Sequence, residues 1–330
     1  MMIVSRTPLR ISFFGGGTDY PEYFRRARGA VLGMAIDKYV YIAALRLTSV
    51  LDYRYRVSYS RIETVADAAA IQHPVIRSVI GHFKVEEPLD LSIMADLPAR
   101  SGLGSSSSFT VGFLNLVATL QRQPMTKLDL ARSAVHVERE LLRENVGVQD
   151  QYHASFGGLN RFDFEGDRTR ISPVQMTAAC LSALTSSLFL VYTGMTRFAS
   201  ATLEEQMART RDREVDSELS HLLELVDKGV EILESEDPGD MLPRFGAMLH
   251  EGWETKKRLS SKVSNPDIDA LYDQARSAGG LGGKLCGAGN GGFLLMLVPP
   301  SHQLVFAERM RDKVIIPVGL DTIGSTIVTG

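Results

Sequence analysis

Three acidic residues, three arginines and three runs of small residues are the parts of this 330-residue chain that could do chemistry. The run from Leu97 to Phe109 reads Leu-Pro-Ala-Arg-Ser-Gly-Leu-Gly-Ser-Ser-Ser-Ser-Phe. It lies between Leu89–Ala95, which alternates as a strand does, and Phe109, Phe113, Leu116 and Leu120, which share one face of a helix. Strand, Gly/Ser loop and helix N-terminus make a phosphate cradle: glycines let the backbone approach, amides point outward, and the helix dipole favours an anion. No Gly-Lys-Ser/Thr closes the loop, so it is not a Walker motif. A flexible serine linker is the plain alternative, and the ordered segments on both sides argue against it.

The other candidates flank this loop in sequence. Arg10 to Tyr20 reads as a strand entering a triple-glycine turn, Gly15-Gly16-Gly17, that ends on Thr18-Asp19. A second molecule can lie close to such a backbone, and Asp19 can accept from the paired hydroxyls of a polyol. The same residues also describe an ordinary turn with a capping Asp. Glu138-Arg139-Glu140 precedes Gly147-Val148-Gln149-Asp150-Gln151. Asp150 has the chemistry of a base, and read alone it equally suits a solvent-facing carboxylate or a helix cap. Near the C-terminus a glycine-rich loop spans Gly279 to Gly292, with Lys284 and Cys286 inside it. There Lys284 reads as a surface lysine as readily as a functional one, and Cys286 as a packed small hydrophobe.

The elements that must position these groups are strands early and helices later. Apolar runs predict strands at 11–14, 30–36, 39–45 and 52–59, then helices at 73–83, 109–120 and 128–143. A strand at 187–192 opens the second half, followed by helices at 199–213, 217–233, 240–254 and 267–278 and a buried strand at 293–298. This is an α+β arrangement rather than strict βαβ alternation. A division into 1–185 and 186–330 follows from it. The net charge of −3 and the lack of long basic runs argue against a nucleic-acid partner. Apolar stretches are too short to span a bilayer, and no signal-peptide pattern begins the chain, so a cytoplasmic protein is expected. Two cysteines supply neither a disulfide framework nor metal-ligand spacing.

Taken together, Arg10–Tyr20, Pro98–Ser108 and Lys284–Gly292, in that order, resemble the three motifs of the GHMP kinases, and the resemblance runs the length of the chain. It implies the two-lobed fold of that family with the active site between the lobes. It also implies ATP and Mg²⁺ as cofactors, with ATP held by Ser101, Gly102, Leu103, Gly104, Ser105, Ser106 and Ser107. Mg²⁺ would lie on Ser106 and Glu138, Asp150 would be the base, and Arg10 would support it. Gly287, Ala288 and Gly289 would form the floor of the site. The substrate would meet Gly16, Gly17, Thr18, Asp19 and Tyr20. Within the family, Gly15–Pro21, Arg100–Phe109 and Glu138-Arg139-Glu140 look like the bacterial D-glycero-D-manno-heptose 7-phosphate kinases. Those enzymes phosphorylate the anomeric hydroxyl and supply nucleotide-heptose for surface polysaccharide. Gly16 and Gly17 stand where galactokinases carry Glu-His, which would widen the pocket and remove a negative charge. Arg100 and Arg197 are then candidates for the substrate's phosphate. The expected partners are a small sugar phosphate and ATP, with no membrane, and a homodimer stays open. A kinase for L-fucose or galactose and a non-catalytic sugar and ATP sensor are the competing readings.

Overall fold

The computed structural model describes residues 2–48, 50–195, 200–234 and 237–329. The chain begins with β1 (Met2–Phe14), the short helix α1 (Pro21–Phe24) and β2 (Gly29–Arg46). The two strands predicted at 30–36 and 39–45 are one strand, whose exposed Asp37 only imitates a turn. Then come β3 (Tyr55–Ser58), β4 (Ile62–Val65), α2 (Pro74–His82), β5 (Leu89–Ala95) and α3 (Ser105–Leu120). Helix α4 (Lys127–His136) runs on into a π-helical turn, Val137–Leu141, and α5 (Gln149–Phe156) and the hairpin β6 (Leu159–Glu165) and β7 (Arg168–Pro173) follow.

The second half holds α6 (Ala178–Thr185), β8 (Leu188–Tyr192), α7 (Ser200–Arg211), α8 (Asp216–Leu233), α9 (Pro238–Lys257) and α10 (Pro266–Ser277). It closes with β9 (Gly282–Leu285), β10 (Phe293–Leu297), α11 (Gln303–Arg309), β11 (Ile315–Pro317) and β12 (Thr326–Thr329).

These strands form two sheets. The larger runs β12-β1-β2-β5-β3-β4, with β6 beside the first half of β2 and β7 beside β6. The smaller runs β11-β8-β10-β9. Alternation along β1 turns Leu9, Ile11 and Phe13 into the core, as the period of two requires. The antiparallel register then sets Arg10 against Ala35 and Ser12 against Gly33. Register shifts between Pro8 and Leu9 and between Ser12 and Phe14 bend β1 just where it carries Arg10 and Ser12.

Helices α3 and α5 pack on β1 and β2 from one side, and α8 and α9 meet the glycine-turn end of the same strands. Phe245 of α9 meets the rings of Phe13 and Phe14 edge-on at 5.1 and 5.3 Å. One hydrophobic core therefore runs from the larger sheet into the second half of the chain. Strand β12 pairs with β1, so the end of the chain returns to the sheet where it started. Among the described residues, no helix is long and apolar enough to cross a membrane.

Candidate active site

The site grows from Arg10. Burial works against its charge, and the carboxylate of Asp150 more than offsets that, so the guanidinium is held above its ordinary range. Nε and Nη2 of Arg10 donate to Oδ1 and Oδ2 of Asp150, both at 2.7 Å, a two-pronged pair. Nη1 donates to the carbonyl of Gly102 at 2.7 Å, and the backbone N–H of Arg10 donates to that of Leu103 at 3.0 Å. One side chain thus ties the expected base to the expected phosphate loop. Asp150 sits in the first turn of α5, its side chain 23% exposed against 7% for Arg10. It is the member of the pair that a ligand can reach.

The serine loop is shaped as a cradle. Gly104, with φ 76°, is the N-cap residue of α3, and no side chain caps that helix. Left-handed backbone is cheap only for glycine. A Cβ there would also stand 3.2 Å from Arg10 Cγ and 3.3 Å from Asp150 Oδ2. The amides of the first turn of α3 therefore open beside the Arg10–Asp150 pair without a side-chain cap, as an anion site requires. Leu103 and Ser101 face inward and are buried, while Ser105 is half-buried. Gly102 lies against the other glycine loop, where a Cβ on Gly287 would fall 2.5 Å from Gly102 Cα. Gly289 packs on Val263, and half-exposed Ala288 lies between the two.

Glu138 of the expected metal pair is hydrogen-bonded to Ser107, the neighbour of Ser106. Glu138, 1% exposed on the π-helical turn, accepts at Oε2 from Ser107 Oγ (2.9 Å) and from Gln151 Nε2 (2.5 Å). Ser106 is exposed one residue earlier, and the hydrogen bond to Glu138 comes from Ser107. Helical geometry turns neighbouring side chains about 100° apart, so only one of the two serines can face the carboxylate. Burial pushes the Glu138 carboxyl up to about 7, against the hydrogen bonds it accepts. Its Oε1 is buried and has no hydrogen-bond partner among the described residues. A buried acceptor left open beside serine hydroxyls suits a hard cation that takes one carboxylate and keeps waters and phosphates as its other ligands. The residues present therefore fit Mg²⁺.

The substrate motif divides. Asp19, 1% exposed, accepts from Gly17 N–H at 3.0 Å and from Gln149 N–H at 3.4 Å. Burial nevertheless holds its carboxyl above the ordinary range. A Cβ on Gly147 would lie 2.0 Å from Asp19 Oδ2, so Asp19 is sealed between the glycine turn and the segment leading to Asp150. Thr18 Oγ1 lies 2.8 Å from the carbonyls of Gly15 and Ala30 and accepts from Ala30 N–H, which uses its side chain to anchor the turn to β2. Tyr20 is buried as the N-cap of α1. The space beside Gly17 is filled by Leu219 and Gln206, whose atoms stand 2.9 and 3.0 Å from its Cβ position. Gly16 has room for a Cβ, with Gln149 Nε2 at 3.8 Å and Ser12 Oγ at 3.9 Å from that position. Arg100 is exposed, with left-handed φ 60°, at the start of the loop. Arg197 lies outside the described residues.

Other residues carry roles that their sequence context did not signal. Lys284 is buried, not on the surface, and Nζ donates to the carbonyl of Phe13 at 3.0 Å. Lys256 of α9 is also buried and donates to the carbonyls of Leu285 and Gly287, which holds the glycine loop from behind. Burial, then the charge of Lys284, pushes the Lys256 amine well below its usual range. Arg139 spans Glu22 (3.1 Å) and the carbonyl of Val146, bracing the chain just before Asp150. A lysine amid glycines and an arginine between two acids gave no reason to expect any of this. Cys286 is buried, and burial raises its thiol, so it packs as an inert small group.

A supported carboxylate beside an anion cradle is the arrangement of a phosphotransferase acting on a hydroxyl group. The family comparisons agree: GHMP kinases N terminal domain matches residues 66–158 and GHMP kinases C terminal matches 240–316. The chain belongs to the GHMP kinases. It is 29% identical over 322 residues to the D-glycero-alpha-D-manno-heptose 7-phosphate kinase of Campylobacter jejuni, with 94% of each chain covered. It is 27% identical to the galactokinase of a Roseiflexus species, over 94% of this chain and 87% of that one. The crystal structure of a D-glycero-D-manno-heptose 1-phosphate kinase from Bacteroides thetaiotaomicron superposes with a TM-score of 0.74, covering 99% of each chain at 24% identity. That last likeness is one of fold.

Proposed function

We propose that this protein is an ATP-dependent sugar kinase that phosphorylates the anomeric hydroxyl of D-glycero-D-manno-heptose 7-phosphate. The observation that carries the kinase chemistry is the two-pronged Arg10–Asp150 pair beside the uncapped start of α3. The heptose phosphate is favoured by the Campylobacter jejuni relative and by Gly16, where galactokinases carry an acidic side chain. In this reading Asp150 orients the sugar hydroxyl and takes its proton. Arg10 fixes the orientation of the Asp150 carboxylate through its two-pronged pair. Amides of Ser101 to Ser107 receive the phosphates of ATP, and Arg100 faces the phosphate of the sugar. Glu138 and a serine hydroxyl of α3's first turn would hold Mg²⁺, which when bound neutralises phosphate charge. Asp19 and Thr18 act behind the sugar, by fixing the turn that carries Gly16.

The deciding experiment is coupled ADP release with heptose 7-phosphate, free heptose, L-fucose and D-galactose side by side. The expected result is a kcat/KM for heptose 7-phosphate at least tenfold above the others, mostly through KM. Equal values for phosphorylated and free heptose would overturn the sugar-phosphate assignment and leave a neutral-sugar kinase.

A further inference from the structure

The glycine turn contains one glycine that nothing in the protein requires. Gly15 and Gly17 have φ of 84° and 104°, and a Cβ on Gly15 would fall 1.9 Å from the Ala30 carbonyl oxygen. Gly16 lies outside the left-handed region, and the nearest atoms to its Cβ position are Gln149 Nε2 at 3.8 Å and Ser12 Oγ at 3.9 Å. Those are ordinary van der Waals distances, so alanine fits there and glycine is needed by neither conformation nor crowding.

The same two side chains that border this notch have unmet hydrogen-bonding atoms. Ser12 Oγ and Gln149 Oε1 are buried, and neither has a hydrogen-bond partner among the described residues. Gln149 is held in place, since its backbone N–H and its side chain both hydrogen-bond Asp19. Ser12 is two residues beyond Arg10 on β1 and so faces the same side of the strand, while Gln149 immediately precedes Asp150. The notch therefore adjoins the Arg10–Asp150 pair. Buried polar atoms left unmet cost stability, so open ones beside a reaction centre call for a partner from outside the chain.

Building on the sugar-kinase reading, we propose that Ser12 and Gln149 are specificity-determining residues that read one hydroxyl of the sugar in the notch left by Gly16. The Gln149 atom at the notch is Nε2, which can only donate, and Ser12 Oγ can accept, so the pair matches a hydroxyl that accepts from the first and donates to the second. An ordered water in the same notch is the competing occupant.

The test measures sugar and ATP kinetics for wild type, Ser12→Ala, Gln149→Met and Gly16→Ala, using heptose 7-phosphate, D-galactose and L-fucose. Monodeoxy forms of whichever sugar is turned over best complete the set. Ser12→Ala and Gln149→Met should each raise sugar KM about two- to tenfold, the span of one neutral hydrogen bond, with KM for ATP unchanged. Gly16→Ala should raise sugar KM at least tenfold without lowering Tm, because alanine fits the empty protein and restricts the unfolded chain. One monodeoxy sugar should be handled equally by wild type and Ser12→Ala. Unchanged sugar KM in all three variants, with wild type active, would overturn the assignment in favour of a water site. ADP release by wild type with none of the sugars would overturn the sugar-kinase reading itself, and this assignment with it.

Discussion

The glycines of the C-terminal loop and those of the N-terminal turn look alike in sequence and are used differently. In the loop, Gly287, Gly289 and Gly292 all have positive φ, and each would place a Cβ within 2.7 Å of another segment's backbone. Their partners are Gly102, Val263 and Ser101. These glycines let two loops lie backbone against backbone, with Lys256 bracing one of them from behind. In the turn, Gly15 lies against the Ala30 backbone in the same way and the space beside Gly17 is filled by the side chains of Leu219 and Gln206, but Gly16 leaves room. One region is closed on itself and the other is open beside two unmet polar atoms. Glycine in a kinase site thus either locks loops together or leaves a hole, and only the neighbours tell which.

The largest effect is expected on the open side, where chemistry should fail while the fold persists. Asp150→Asn keeps the shape of the side chain and removes the base. We expect kcat to fall by about two to four orders of magnitude with ATP affinity close to wild type, and Tm to drop because buried Arg10 loses its countercharge. Near-normal kcat in the purified variant would sink the role given to Asp150. The closed side should behave in the opposite way. Gly287→Ala forces a Cβ to 2.5 Å from Gly102 at a φ of 70°. Stability should drop by roughly 2 kcal/mol or more in denaturant titration, and ATP use should fall with it. Wild-type stability in this variant would mean that the two loops are not locked together.

How much of this was legible depends on how each residue is satisfied. The serine loop could be found because strand alternation and helix periodicity frame it, whereas Arg10 and Asp150 were marked by the resemblance to the family motifs; Arg10, Asp150 and Gly104 do come together. Helix α5 was not legible, because its buried face carries Gln149, Gln151, His153 and Ser155, which no apolar periodicity marks. Burial pushes the His153 imidazole down to about 3, so it is neutral. Strand β12 escaped because its reason for being a strand is β1, at the other end of the chain. Ser107 rather than Ser106 at Glu138 is a matter of helical phase, and that phase was fixed only once α3 was seen to begin at Ser105.

Glu138 sharpens the contrast by linking the open side to pH. Its folded value of about 7 lies above the ordinary 4.5, so between those values the native state binds more protons than the unfolded chain. Stability from this group is fully present below about pH 4.5 and is lost as pH rises toward 7, by on the order of a few kcal/mol. In protein without nucleotide or metal, the stability difference between wild type and Glu138→Gln should fall across that window and flatten above it. Parallel stability curves for the two proteins would show that Glu138 is not a buried, unmatched carboxyl.

The smallest effect is expected from Lys284, which straps the smaller sheet to β1 through the Phe13 carbonyl. Burial, only partly offset by neighbouring Cys286 and Asp19, pushes its amine down to about 8 from 10.5. A lysine with a lowered folded value binds fewer protons in the native state than in the unfolded one. Its penalty is therefore complete below about pH 8 and relieved as pH rises toward 10.5. The raised phenols of Tyr39 and Tyr272 act in the opposite direction at higher pH, but they are present in wild type and variant alike and cancel in the comparison. Lys284→Met keeps the apolar stem and removes both the charge and the strap. Wild type should gain stability relative to this variant between pH 8 and 10 in urea titrations. If the two curves run parallel there, Lys284 is hydrated and the contact to Phe13 does not hold the sheets together. If the gap widens as expected while kcat at neutral pH falls only a fewfold, Lys284 belongs with the locked glycines rather than with the open notch.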